Sequence, residues 1–411
     1  MRDLTAPGQT GSGRTAPGPA GRSAARARSA ALRIRDWLPG AADFVDPSTG
    51  DSAAVDGLVL TGPAAVAWAC GGVAPPVDRT AAVDLVWAVF TPGGAALITT
   101  NVEGDRIRDE YGPAAHGFTE LMTVPWQDPD AFVRAAEKFA GAPAGRLASD
   151  GHPAFGRDAS DDLVALRLAL SAADRDDLAD LGRDAAAALQ SALASWRPGE
   201  RDLDIQARCA AGLESAGADA PVLIVGGDDR LARYRHPMAA GAPVCRIVMA
   251  VVVARRAGLH VAATRFAAVA PSDPQYASLR RRVLTIEDAV LSACRPGTTY
   301  GAVLAALAAG YERAGAPAGW AGHYQGGPIG FAQREFEIAP DQVDSRWYRE
   351  PVTAGHAMAW NPSLPGGAKA EDTYLVTDDG QLTLITQAPG WPAEQADERQ
   401  PPRPAVLEVA S

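Results

Sequence analysis

Side chains suited to acid–base chemistry and anion binding are concentrated in the second half of the chain. His236 precedes a long apolar run, whereas His323, Arg334 and Glu335 lie in one glycine-rich segment and Glu371 comes later. An imidazole that titrates near neutral pH can accept and deliver protons, and a guanidinium can bind a carboxylate through two parallel hydrogen bonds. Such a set is adequate for hydrolysing a C–N bond in a small, carboxylate-bearing substrate, and His236 and Glu371 are the candidate catalytic residues.

Each of these residues also has a purely structural interpretation. His236 stands beside a proline, where a histidine can cap a turn, and His323 lies among glycines. Arg334 and Glu335 also fit a plain surface ion pair, which would contribute less than about 1 kcal/mol to stability. Glu371 fits a residue that only holds the end of a strand.

Three segments of this half share a pattern with known enzymes. They read His323-Tyr-Gln-Gly-Gly-Pro-Ile-Gly-Phe-Ala-Gln-Arg334-Glu335, Trp360-Asn361-Pro362 and Glu371-Asp372-Thr373. Together they resemble the active-site half of the creatinase/aminopeptidase P family. The resemblance implies an α+β fold, in which the family's pita-bread domain, a curved antiparallel sheet covered by helices, follows a smaller α/β domain.

Most members of this family bind two metal ions through two Asp, one His and two Glu side chains, which leave a hydroxide between the metals. In this chain the residues at four of those positions are Val251, Ala262, Gly327 and Asn361, and only Glu371 remains. Alkyl groups and a glycine cannot bind a metal ion. The resemblance therefore implies a site without a catalytic metal, and we expect no other cofactor.

The retained residues resemble those of creatinase, the metal-independent member of the family. Creatinase also has alanine at the position of Ala262, and its substrate carboxylate is bound by an arginine that Arg334 matches. His236 matches its acid–base histidine, and Glu371 matches a glutamate that helps to hold the substrate. Thr264 stands where creatinase has the glutamate that binds the guanidinium group of creatine, so creatine itself is not the expected substrate.

The N-terminal half contributes one further candidate. Trp68-Ala-Cys-Gly71, with Arg79 following, resembles the creatinase segment whose arginine reaches into the partner subunit's site. The resemblance thus implies a homodimer. The substrate-binding residues that we expect are His323, Arg334, Glu335, Asn361 and Arg79.

The composition of the 411 residues is that of an ordinary globular protein, with 47% hydrophobic and 21% charged residues. A net charge of −11 argues against a nucleic-acid surface. The four cysteines form neither a zinc-binding spacing nor a disulfide framework. No apolar stretch reaches the roughly 18 residues of a membrane span. We expect a cytoplasmic protein that acts on a small molecule and contacts neither nucleic acid nor membrane.

The elements that position these residues follow from the apolar pattern. Apolar runs beginning at Gly57, Val83 and Ala95, with a helix over 128–140, predict a small α/β domain. Leucines at helical spacing predict helices over 160–197. The run 244–254 predicts a strand buried on both faces. A return strand over 259–270, helices at 275–294 and 299–313, and closing strands near 355–361 and 371–387 complete the pattern.

These patterns divide the chain into a disordered extension (1–35), an N-terminal α/β domain (36–158), the pita-bread domain (159–390) and a loose proline-rich tail (391–411). The Arg-rich part of the extension also fits the start of a helix. Three other functions stay open: a metal-dependent Xaa-Pro aminopeptidase-like peptidase, a binding protein without catalysis, and an accessory protein of a biosynthetic pathway.

Overall fold

The computed structural model describes residues 19–41, 55–72, 77–270, 273–338, 342–394 and 401–410. In chain order the elements up to residue 158 are α1 (Pro19–Ala41), β1 (Gly57–Leu60), α2 (Pro63–Ala69), β2 (Val86–Thr91), β3 (Gly94–Thr100), α3 (Gly104–Arg106), β4 (Glu120–Val124), α4 (Ala131–Ala140), β5 (Leu147–Ser149) and β6 (Arg157–Asp158). A π turn (Ile107–Tyr111) and two 3₁₀ turns (Pro113–His116 and Ala144–Arg146) lie between them.

The N-terminal strands form one mixed sheet in the order β4-β3-β2-β1-β5-β6. β1 is buried throughout, because Leu58 and Leu60 pack into one core cluster and Val59 into another on the opposite face. The expected strands and the helix α4 are thus present, and the sheet ends at Asp158.

The remaining elements are α5 (Ser160–Leu168), α6 (Ala172–Ala194), β7 (Glu200–Arg201), α7 (Asp202–Ser215), β8 (Asp219–Gly227), α8 (Asp228–Arg233), β9 (Pro243–Val244), β10 (Ile247–Arg256), β11 (Leu259–Val269), α9 (Pro274–Ala293), α10 (Tyr300–Arg313), β12 (Gly326–Ile329), α11 (Arg346–Arg349), β13 (Ala357–Trp360), β14 (Ser363–Leu364), β15 (Ala368–Lys369), β16 (Asp372–Val376), β17 (Leu382–Leu384), β18 (Ala393–Glu394), β19 (Arg403–Pro404) and β20 (Leu407–Val409). A 3₁₀ turn (Gly319–Gly322) precedes β12.

The hairpin of β10 and β11 is the centre of the C-terminal half. As predicted, β10 is buried on both faces, with Val252 in one core cluster and Met249 in another. The strands are joined by Ala257 and Gly258, whose φ angles of 51° and 78° are those of a two-residue hairpin turn. Arg26 of α1 donates a hydrogen bond to the carbonyl of Ala257 at 2.9 Å, so α1 holds the turn in place.

Two four-stranded sheets, β20-β11-β10-β8 and β12-β13-β16-β17, meet where β11 runs beside the start of β16. The backbone N–H of Thr264 donates to the carbonyl of Glu371 at 2.8 Å, and that of Ala262 donates to the Thr373 hydroxyl at 2.8 Å. Mixed sheets and helices confirm the predicted α+β class. None of the helices in the described ranges is both long and apolar enough to cross a lipid bilayer.

Two predictions about the chain ends need correction. The extension predicted at 1–35 is helical from Pro19 onward, and Arg26 is buried in an ion pair with Asp174 of α6 at 2.7 Å. The tail predicted to be loose is ordered over 401–410, because β20 adds to the edge of β11 and Arg403 is buried beside Asp288 at 2.7 Å. Residues 1–18 and 395–400 lie outside the described residues.

Candidate functional site

The β10–β11 hairpin carries the two strand positions at which the family resemblance places aspartate ligands. Val251 pairs with Thr264, and Val253 pairs with Ala262. Because paired residues of an antiparallel ladder project to the same face, Val251, Ala262 and Thr264 share one face of the sheet. Of these three side chains, only that of Thr264 has a polar group.

Glu371 lies against this face with two partners on one of its oxygens. The Thr264 hydroxyl donates to Oε2 at 2.6 Å, and the Lys369 ammonium is 2.8 Å from the same atom. Glu371 is 6% exposed and Lys369 is 9% exposed, so the ion pair is buried. Within the described ranges Oε1 has no hydrogen-bond partner. The one retained ligand position is therefore neutralised by a lysine.

Asn361 lies next to Glu371 across the neighbouring strands. Trp360 pairs with Asp372, so the next step of the same register sets Asn361 opposite Glu371. The Asn361 backbone N–H donates to the Gln325 carbonyl at 2.9 Å. The side chain is 9% exposed, and its Oδ1 is buried without a hydrogen-bond partner among the described residues. A buried acceptor of this kind is a place for a donor from a ligand or water.

The donor set does not fit a dinuclear metal centre. Gly327, where the metal-binding histidine would stand, pairs with Ala359 and has no side chain. Across the described ranges, no three His, Cys, Asp or Glu side chains are grouped so that they could hold a metal ion. A single carboxylate that already pairs with an ammonium group cannot replace the carboxylates and imidazole that such a centre requires.

His236 follows α8 and is exposed. Partial burial lowers the pKa of its imidazole, and the positive charges of Lys369 and Arg235 lower it further, whereas Glu371 opposes them. The same electrostatic contacts include Arg334, so the structure brings His236, Glu371 and Arg334 into one charged neighbourhood. A lowered pKa keeps the imidazole neutral near pH 7, the form that can accept a proton.

His323 is held by two hydrogen bonds in a neutral form. Its Nδ1 is 2.6 Å from the Tyr324 carbonyl, which can only accept, so Nδ1 carries the proton. Its Nε2 then accepts from the Ser363 hydroxyl at 3.0 Å, and Ser363 in turn accepts from Arg235. Burial and the charge of Arg235 lower the pKa of His323 to about 4. His323 therefore positions Ser363 and Arg235 and is not a proton carrier near pH 7.

Arg334 and Glu335 are adjacent in sequence but have different surroundings. Arg334 is half-buried, pairs with Glu337 at 2.7 Å and lies over the ring of Tyr324. Glu335 is buried: one oxygen accepts from Arg167 of α5 at 2.8 Å, and the other accepts from two backbone N–H groups of its own loop. Both oxygens of Glu335 thus have internal partners, whereas Arg334 pairs with a carboxylate that a ligand could replace.

Arg79 lies elsewhere in the chain. Its exposed guanidinium is 2.7 Å from Glu214 of α7 and 3.8 Å from Asp219. Within one subunit it is thus part of a surface ion pair, and its expected role in substrate binding stays a prediction that depends on a second subunit.

A cavity of about 280 Å³ opens beside the buried ion pair. The side chains that line it include Leu231, Tyr234, Arg235, Met249, Ser363 and Lys369. Arg235 has no carboxylate partner in the described part of the chain. The cavity therefore has an apolar wall and three cationic residues, Arg233, Arg235 and Lys369, which suits a small anionic molecule.

Comparison with known proteins agrees with the fold. Residues 177–378 match the model of metallopeptidase family M24, and this region is therefore an M24-family domain. The chain shares its fold with dipeptidase PepE from Mycobacterium ulcerans, at 20% identity and a TM-score of 0.67 over 96% of this chain and 100% of that one. The Xaa-Pro dipeptidase from Bacillus anthracis gives 17% identity and 0.66 over 93% and 100%.

A third similar structure is the N-terminal domain of FACT complex subunit SPT16 from Cicer arietinum, at 13% identity and a TM-score of 0.61 over 90% of this chain and 96% of that one. At these identities the structural matches establish the fold alone. No curated protein sequence matches the chain.

Sequence reasoning missed Lys369, Ser363 and Arg235. A signal for Lys369 was present, because it precedes Glu371 by two residues and alternate residues of an extended segment share a face. Arg235 directly precedes His236 in the sequence. No sequence pattern indicates that Ser363 connects Arg235 to His323, since this contact depends on how β14 folds back over the site.

Proposed function

We propose that this chain is a metal-independent hydrolase of a C–N bond in a small, carboxylate-bearing compound. One observation carries the proposal: Glu371, the only retained ligand position, pairs with the Lys369 ammonium at 2.8 Å beside an anion-suited cavity. A site that contains an internal cation, an anion-binding guanidinium and a neutral imidazole has the groups that such a hydrolysis needs.

Arg334 would bind the substrate carboxylate. Its guanidinium already pairs with Glu337 at 2.7 Å at a half-buried position. That pair is a single hydrogen bond, whereas a substrate carboxylate could bind the guanidinium through two and would replace Glu337 or share the guanidinium with it. Substrates without a carboxylate would leave the existing pair in place and gain nothing from it.

His236 would move the protons. As a neutral base it would take a proton from the attacking water, and as an acid it would return that proton to the leaving nitrogen. Glu371 Oε1 and Asn361 Oδ1 are both acceptors without partners in the described chain. They would accept N–H groups of the substrate, which favours an amide, amidine or related nitrogen compound.

The assembly and location are part of the same proposal. We place the protein in the cytoplasm as a homodimer, in which Arg79 reaches the partner subunit's site. Three of its four free cysteines are buried thiols, which suits a reducing compartment. Light scattering at micromolar concentration tests the assembly, and a monomer would remove Arg79 from the site.

Two alternatives have specific support. The match to a metallopeptidase family and the similarity to a dipeptidase and an Xaa-Pro dipeptidase favour a metal-dependent peptidase. The similarity to a domain of a FACT complex subunit favours a protein that binds a partner. Both alternatives make different predictions for metal content and product formation.

The deciding experiment screens the purified chain against N-acyl, N-carbamoyl and N-amidino amino acids, each with a control compound that lacks the carboxylate. We expect turnover of a carboxylate-bearing member that continues in the presence of a chelator, from protein with far less than one equivalent of divalent metal. Turnover that is lost on chelation and restored by manganese would establish the metal-dependent alternative. Binding that stabilises the chain without product would establish the non-catalytic one.

A further inference from the structure

Lys369 is a buried cation beside Glu371, the one position that keeps a metal-ligand residue of the family pattern. It belongs to β15, pairs with Ser363 of β14 and is 9% exposed. Burying an ammonium group is costly unless it is paired, and its partner here is the carboxylate of Glu371. The fold therefore keeps a fixed positive charge next to the retained ligand position.

This ammonium group retains hydrogen-bonding capacity. A lysine ammonium has three N–H donors, and Glu371 is its one partner among the described residues. Lys369 also lines the 280 Å³ cavity. At least one donor is thus left for a ligand in that cavity.

The choice of lysine is itself informative. Of the 38 Lys and Arg residues in the chain, only Lys138 and Lys369 are lysines. Lys138 is exposed on α4, whereas Lys369 is buried. A compact ammonium is a point charge with three rotatable donors, and the flat guanidinium that this chain uses almost everywhere else is not.

We propose that Lys369 donates a hydrogen bond to the substrate's carbonyl oxygen and stabilises the negative charge that forms on it. The proposal rests on the proposed function. Water attacks the carbonyl carbon while His236 takes one water proton, and the π electron pair moves to the oxygen beside Lys369. When the C–N bond breaks, that pair restores the C=O bond and the nitrogen leaves with the proton from His236. Water is the only co-reactant.

The test compares two small probes with the full chain. N-acetylglycine has a planar amide, and N-(methylphosphonyl)glycine has a tetrahedral phosphorus centre with a negative oxygen where the developing charge would be. Titration calorimetry measures both dissociation constants for the unmodified chain, Lys369→Met and the matched control Lys138→Met. We expect the unmodified chain and the control to prefer the tetrahedral probe. Lys369→Met should lose about 10²–10³-fold of that preference, with little change for N-acetylglycine.

Melting curves show whether each variant is folded. If Lys369→Met alone does not fold, Lys369→Met/Glu371→Gln, which leaves no unpaired buried carboxylate, is compared with Glu371→Gln in the same way. A folded variant without Lys369 that keeps the tetrahedral preference would overturn the proposal, because Lys369 would then only neutralise Glu371. An unmodified chain without any preference would overturn it as well.

The proposed function fails in a different way. If no C–N compound is turned over but the tetrahedral probe still binds more tightly in a manner that depends on Lys369, the proposed function fails. The site would then bind anions without hydrolysing a substrate. Turnover in Lys369→Met at the unmodified rate would remove the role of Lys369 and leave the hydrolase.

Discussion

Glu335 and Glu371 are both buried carboxylates that pair with a cation, yet their oxygens are used differently. One oxygen of Glu335 accepts a hydrogen bond from Arg167, and the other accepts from two backbone N–H groups. Glu371 uses one oxygen for Thr264 and Lys369, and the other has no partner in the described chain. The Glu335 pair is complete within the fold, whereas the Glu371 pair has unused donors and an unused acceptor.

This difference separates a structural ion pair from a candidate reactive one, although both glutamates were expected from the sequence to act in the site. Native proteins satisfy nearly all buried polar groups, so a buried group that stays unsatisfied marks a place for a ligand or an ordered water. Asn361 strengthens the point, because its unpartnered Oδ1 lies next to Glu371 and not next to Glu335. Each prediction below tests one side of this contrast.

The largest expected effect is on turnover at the site of the Glu371–Lys369 pair. His236→Ala should lower kcat by about 10²–10⁴-fold, because general acid–base catalysis contributes that much, while binding of N-acetylglycine and the melting temperature change little. Steady-state kinetics and calorimetry measure the two quantities. His152→Ala, which removes a histidine that packs on Trp87 in the N-terminal sheet, is the control. An unchanged rate in His236→Ala would assign this histidine to the fold and favour the binding-protein alternative.

Disrupting the Glu335–Arg167 pair should instead lower stability and leave probe binding unchanged. Glu335→Gln breaks a buried pair and should lower the free energy of unfolding by about 3–5 kcal/mol, with no effect on probe affinity. Urea denaturation measures the stability, and Arg167→Met/Glu335→Gln should recover part of the loss because no charge is then left unpaired. If Glu335→Gln instead abolished probe binding at unchanged stability, Glu335 would return to the substrate-binding residues.

A smaller effect is expected for the anion-binding guanidinium. Arg334→Lys should weaken binding of N-acetylglycine about 10- to 100-fold, since one ammonium group cannot reproduce two charge-assisted hydrogen bonds. Calorimetry with N-acetylglycine measures the change, and Arg183→Lys on the exposed side of α6 is the matched control. Equal affinities for the two variants would mean that Arg334 serves only its pair with Glu337.

Much of the fold was predictable, because local patterns specify it. The run of apolar residues ahead of Ala257 and Gly258 determines β10, the turn and the return strand. The helix α1 was not predicted, since its anchor is the pair between Arg26 and Asp174, 148 residues apart, which no local pattern reveals. Glycine and proline near the start of the chain indicated disorder and outweighed the helix-prone Ala and Arg content.

The candidate site was predictable only in part, because the sequence indicated its residues but not their partners. The positions of the lost ligands and the roles expected of His236, Arg334 and Glu371 came from the family resemblance. The partners of those residues did not, because Lys369 and Glu337 reach them through strand register and loop shape. The resemblance therefore gave candidate residues for the site but not the balance of charge around them.

The last prediction concerns the pH dependence of turnover, which should reflect the charges of the Glu371–Lys369 pair near His236. Burial and the charges of Lys369 and Arg235 lower the pKa of His236, so this histidine stays in its base form to lower pH than a free histidine, whose pKa is about 6.5. We expect kcat/KM to fall on the acid side with an apparent pKa below 6.5.

Lys369→Met removes a repelling charge and leaves Glu371, which favours the protonated imidazole, so this acid limb should move to higher pH. The sign follows because fewer positive neighbours make protonation easier. Lys138→Met, which replaces the exposed lysine of α4, should leave the limb where it is. An acid-side pKa of kcat/KM that does not change in Lys369→Met would mean that a group other than His236 carries the proton. The Glu371–Lys369 pair would then contact the substrate without affecting the proton transfer.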